Sequence, residues 1–189
     1  MHSSIRPLAL VAALVGMAPL ALAVPGGWSL AGSQPRSYET GTDKKVKHSG
    51  KASGYLKSKE PSIDGFGTLM QMVSSSRYAG KRLRLSATVK TDNVADWAGL
   101  WMRIDGEGKS SLAFDNMESR AIRGSTDWKS YDVVLDVPKE ATLVAFGVLV
   151  SGTGTLWIDD VKLETVSLTI PVTSPKSREA PENLDFETE

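Results

Sequence analysis

Residues Trp97–Asp105, WAGLWMRID, alternate with a period of two, and that alternation dictates an extended strand with two unlike faces. Ala98, Leu100, Met102 and Ile104 fall on one face and read as core. Gly99, Trp101, Arg103 and Asp105 fall on the other. A large ring beside a guanidinium is unusual on a face that meets solvent unless something lands there. The same period recurs in Arg82–Lys90, where Arg82, Arg84, Ser86, Thr88 and Lys90 alternate with Leu83, Leu85, Ala87 and Val89. It recurs again where Tyr131, Val133, Leu135 and Val137 alternate with Asp132 and Asp136.

Strand-like segments bounded by turn residues are Ser53–Ser58, Phe66–Val73, Lys81–Thr91, Trp97–Asp105, Ser111–Asn116, Trp128–Val137, Thr142–Ser151 and Thr155–Glu164. Val24–Gly50 is rich in Pro, Gly and Ser and reads as loop with one short strand around Tyr38–Thr40. No segment sustains a 3.6-residue period. Short strands spaced by Gly, Pro and Asp turns predict an all-β fold, a two-sheet antiparallel β-sandwich.

The ends read differently. His2–Arg6 is polar with one positive charge, Leu8–Leu22 is almost wholly apolar, and Ala21-Leu22-Ala23 places small residues where a signal peptidase reads. Residues 1–23 are therefore expected to be a signal peptide, with Val24 as the mature N-terminus and a secreted or periplasmic destination. An apolar run of about 15 residues containing Pro19 falls short of the roughly 20 that a membrane-spanning helix needs, so no span is expected after cleavage. The binding domain is expected over 24–164. Thr165–Glu182 reads as a Pro/Ser/Thr-rich linker. A C-terminal segment, 183–189, opens with Asn183–Glu187, NLDFE, which looks like a strand again.

The chain has no cysteine, which removes disulfides, thiolate metal sites, cysteine nucleophiles and lipoprotein acylation together. Its 22 basic residues balance 22 acidic ones, which argues against a nucleic-acid partner. There is no Ser-His-Asp motif, phosphate loop or histidine cluster. The carboxylates Glu39, Asp43, Asp159 and Asp160 are too scattered to name an acid–base pair, and His48 sits in a polar turn. Binding is expected rather than catalysis.

A candidate ligand face follows from parity. Val144, Phe146, Val148 and Val150 make one side of a strand; Ala145, Gly147, Leu149 and Ser151 make the other and leave a shallow groove beside Trp101. Gln71, opposite Met70 and Met72 on its own strand, is expected to line that groove, with Trp97 as a second platform. Asp115 and Asn116 close a strand either as groove-rim ligands or as turn formers. Trp101 with Arg103 fits three roles: a sugar-stacking platform, core packing with a cation–π contact, or a protein-interface anchor. Trp128 and Trp157 read as structural.

Thr155–Glu164, TLWIDDVKLE, resembles the last strand of carbohydrate-binding modules of the family 4/9 type, which are galactose-binding-like jelly rolls. The segments HSGKASGYL, KRLRLSATVKT and DWKSYDVVLDVP fit the same pattern, so the resemblance covers Trp28–Glu164. It implies a glycan or similar polyhydroxylated ligand on a concave sheet face; the alternative is an envelope protein meeting that face. Such relatives begin with a run like NLDFE. The resemblance therefore implies that Asn183–Glu187 fills the first-strand position, in its own chain or a neighbour's. It also implies a structural calcium held by Asp159 and Glu187; the other reading has Asp159 capping backbone amides. No other cofactor is implied.

Overall fold

A computed structural model of the chain describes residues 24–109 and 111–174. Among these described residues are nine strands: β1 (Ser29–Gly32), β2 (Tyr38–Asp43), β3 (Ser53–Ser58), β4 (Phe66–Ser74), β5 (Arg82–Asp105), β6 (Ser111–Asp115), β7 (Ile122–Asp136), β8 (Leu143–Ser151) and β9 (Thr155–Val166). All pairings are antiparallel. The hydrogen-bonded order is β1-β4-β8-β5-β9-β3-β2, with β6 and β7 also paired to β5. The expected segments 1–23 and 183–189, including Glu187, lie outside the described residues.

The stretch expected as two strands, Lys81–Thr91 and Trp97–Asp105, is one 24-residue strand. Its first part, Arg82–Asp92, pairs with β9, and its last part, Trp97–Asp105, pairs with β8. The register against β7 shifts three times between Val89 and Ala98, and Asn93 takes φ 52° within that stretch. Asp92-Asn93 therefore supplies a bulged corner rather than a loop, because a short polar side chain tolerates the left-handed conformation. The corner carries the chain from one layer of the sandwich into the other.

The period-two faces meet between those layers. Ala98, Leu100, Met102 and Ile104 are fully buried there with Leu83, Leu85 and Val89 from the first half of β5, and with Val144, Val148 and Val150 of β8. β1 escapes the periodicity argument because four residues, SLAG, hold too few alternations to register. It forms the edge beside β4, pairing Ser29 with Met70 and Gly32 with Gly67.

Tyr38 ties β2 into the opposite layer. Its ring occupies the space where a Cβ on Gly67 would stand, at 2.5 Å, so β4 needs glycine at that point. The phenol is buried and donates to the Gly152 carbonyl at 2.6 Å. Burial pushes its pKa up to about 12.

The expected linker begins inside the fold. β9 runs to Val166, and the chain beyond it is strapped down. The Arg82 guanidinium donates to the carbonyls of Leu168 (2.8 Å) and Ile170 (2.6 Å) while pairing with Asp136. Thr173 donates its N–H to Val134 O (2.9 Å), accepts from Val134 N (2.8 Å) and donates its hydroxyl to the Asp115 carboxylate (2.5 Å). The strap thereby covers part of the outer edge of β7, an edge otherwise open to pairing. Burial pushes the Asp115 carboxyl up, but the Arg120 guanidinium, the Thr173 hydroxyl and the Met117 N–H together hold it below the ordinary carboxylate range.

Two outcomes are expected. A tyrosine that stays protonated to about pH 12 when folded but ionises near 10 when unfolded contributes stability that is complete below pH 10 and is lost between 10 and 12. Denaturant unfolding of Tyr38→Phe should show a shallower alkaline loss over that interval; an unchanged slope would contradict the assignment. Thr173→Val removes a donor to a charged acceptor and should cost about 1.5–3 kcal/mol by thermal unfolding. An unaltered melting temperature would show that the strap contributes nothing.

Candidate binding groove

The register of β4, β8 and β5 sets out the outer face of one layer in rows. Met70, Gly147 and Trp101 form one row, with Thr68, Leu149 and Gly99 on one side of it. On the other side lie Met72, Ala145 and Arg103, and Phe114 of β6 continues that row. Phe66, Ser151 and Trp97 form the end row. A Cβ at Gly147 would fall 2.2 Å from the Leu69 carbonyl oxygen, so this position admits only glycine without backbone movement. The glycine also leaves the centre of the face without a side chain. The result is a groove of about 500 Å³.

Trp101 forms the floor. It is only 7% exposed and packs with Ala145 and Leu149, with Met70 and Trp97 against them. A buried indole N–H needs a partner. It donates to Thr68 Oγ1 at 2.7 Å, and Thr68 donates in turn to Val148 O at 2.8 Å. The ring is therefore a packed base of the groove, which agrees with the core-packing role among the three open to it and not with an open platform. The open aromatics are Phe66, 38% exposed, and Phe114, 47% exposed, with half-buried Trp97 lining the same groove. Sequence reasoning passed over both phenylalanines. Phe114 was reachable by parity, since it stands directly across from Arg103.

Arg103 lines the groove and is held in place by a two-point pair with buried Asp105, Nε to Oδ1 at 2.8 Å and Nη2 to Oδ2 at 2.9 Å. Asn116 lines it too, while its Oδ1 accepts the Glu118 N–H at 3.1 Å, so it is a rim residue and a turn former at once.

Two expected members are elsewhere. Gln71 stands across from Phe146, an inward residue, and lines a separate cleft walled by both layers with Trp28, Leu69 and Ile158. Met70 takes its place in the groove. Asp115 pairs with fully buried Met102 and points inward to its lock with Arg120 and Thr173.

Of the two residues expected at a calcium ion, Glu187 lies outside the described residues and Asp159 is engaged by backbone amides. Asp159 Oδ2 accepts the N–H groups of His48 (2.9 Å) and Ser49 (3.0 Å), and Oδ1 accepts that of Asp160 (2.8 Å). Three N–H donors thus fall on the two oxygens of this carboxylate. Asp160 is taken by the Ser49 hydroxyl and the His48 ring, which hold its carboxyl below the ordinary range. Among the described residues no group of three or more His, Cys, Asp or Glu is placed to hold a metal. Asp159 is the amide cap, and His48 anchors the 44–51 turn to β9. Trp157 donates to Asp43 at 3.1 Å, and Trp128 lies against His48 with centroids 5.7 Å apart.

No family model matches the chain. It is 46% identical over 168 residues to an uncharacterized HTH-type transcriptional regulator, YbfP, of Bacillus subtilis strain 168; the match takes in 86% of this chain, which spans 57% of that relative's length. In structure it is similar to the enzymatically active domain of bacteriophage CBA120 tailspike protein 4, with a TM-score of 0.59 and 16% identity over 75% of this chain and 20% of that one. It is likewise similar to a CBM22-1 xylan-binding domain from Paenibacillus barcinonensis, with a TM-score of 0.56 and 11% identity over 76% and 88%. At these identities the likeness is one of fold. The chain has the antiparallel β-sandwich fold of carbohydrate-binding modules.

Proposed function

We propose that this chain is an exported, non-catalytic carbohydrate-binding module that lays a glycan between Phe66 and Phe114 over the floor of Trp101. The observation that carries the reading is the groove itself. Two open phenylalanines and a half-buried tryptophan surround a preformed depression on an otherwise packed sheet. A pyranose offers such rings an apolar C–H face, and a groove held by internal hydrogen bonds needs no ordering on binding. The carbohydrate-binding modules that share the fold support the same reading. Export rests on the character of residues 1–23.

The HTH-type relative favours a second reading, in which the same β-domain senses a ligand for a larger regulator. A helix-turn-helix requires two α-helices, and the described residues contain only strands and short 3-10 turns. DNA contact would then belong to the portion of that relative which this chain does not span. Both readings put the ligand in the same groove.

A glycan array on the protein, run beside Phe114→Ser and Trp97→Ala, tests the proposal. Each substitution should weaken binding about tenfold or more, the size expected for an aromatic anchor. Leu168→Ala, at an exposed position away from the groove, should leave it unchanged. Silence across the array from folded protein would overturn the glycan reading in favour of a protein partner on the same face.

A further inference from the structure

We propose that the groove selects glycans whose hydroxyl groups are capped as O-acetyl esters; this rests on the glycan-binding reading above. The inference comes from the polar side chains that line the groove, namely Thr68, Arg103, Asn116 and Ser151. Each is already engaged within the protein. Thr68 accepts from Trp101 and donates to Val148, and it is buried. Ser151 reaches the Asp96 carboxylate at 3.4 Å. Asn116 closes its own turn with Glu118. Arg103 spends Nε and Nη2 on Asp105.

The rest of the lining is apolar, with Phe66, Met70, Trp97, Phe114 and Leu149 around the Trp101 floor. Met72, 61% exposed, extends it along the row that holds Arg103 and Phe114. A glycan with free hydroxyls laid here exchanges water for carbon, and each hydroxyl that finds no acceptor costs affinity. The carboxylates beside these groups, Asp96, Asp105 and Glu118, already accept from Ser151, Arg103 and Asn116, and Asp105 is buried. An acetyl ester reverses the balance. It replaces the O–H donor with a carbonyl acceptor, which suits a rim whose cationic group is the Arg103 guanidinium. It also adds a methyl group, which suits the adaptable thioethers of Met70 and Met72.

The test is calorimetry of the full chain with O-acetylated xylo-oligosaccharides and O-acetylated glucomannan, each beside its own alkali-deacetylated form. The acetylated member of at least one pair should bind about tenfold more tightly, the scale of one buried methyl group plus one hydroxyl spared from desolvation. Met72→Gln, at a position too exposed to threaten folding, should narrow that ratio to within about threefold, since the methyl loses its apolar contact. Equal or tighter binding of the deacetylated form would overturn the inference while leaving the glycan reading intact. Binding of neither form, with other glycans bound on an array, would do the same. Folded protein that binds no glycan at all would remove both.

Discussion

Both layers of the sandwich share β5, and the covalent continuity of that strand sets where everything else can go. Arg82–Asp92 gives its edges to β7 and β9; Trp97–Asp105 gives its edges to β8 and β6. A straight strand of this length would leave one layer unsupported. The three register shifts and the left-handed Asn93 turn it through the corner instead. Once it has turned, side-chain parity is inherited by every neighbour. Leu100 and Met102 face the core because Leu83 and Leu85 do so across the gap, and Trp101 and Arg103 then have only the outer face available.

That outer face becomes a groove through the absence of side chains as much as through their presence. Gly147 at its centre, Ala145 beside it and Gly99 in the adjoining row let Trp101 lie low enough to be nearly covered. Burying the indole obliges its N–H to find an acceptor, and Thr68 on β4 supplies it from across β8. Burial contributes stability while the hydrogen bond fixes the orientation of the ring. The aromatic side chains left open, Phe66 and Phe114, then stand over a rigid base. In the Arg103–Asp105 pair the guanidinium is half exposed and the carboxylate buried, and the two-point contact fixes the guanidinium in place.

Where local periodicity decides, the sequence was a reliable guide. It separated the two faces of β5 and β8, placed the small residues of β8 beside Trp101 and found the boundaries of β3 to the residue. Its misjudgements share a cause. Gln71 was assigned by alternation within its own strand, but which face a strand turns to the core depends on its partner, and Phe146 opposite it faces inward. Of the two roles open to Asp115, turn former holds, since it accepts the Met117 N–H, and groove rim does not, because Arg120 and Thr173 claim it from a turn and from a stretch whose Pro/Ser/Thr content reads as linker. Asp92-Asn93 fell between two expected strands because a bulge and a turn draw on the same residues. The amide-capping role of Asp159 was already open among the sequence readings, and three N–H donors give it that role.

The central claim is that ligand meets the outer face of the β4-β8-β5 layer. Mapping backbone and indole N–H chemical shifts by NMR while a bound glycan is titrated in tests it most directly. The account predicts shifts at Trp97, Trp101, Phe66, Phe114 and Asn116, with the Trp157 and Trp128 indoles unmoved. Shifts concentrated at Trp157 and Tyr55, on β9 and β3 of the other layer, would contradict it.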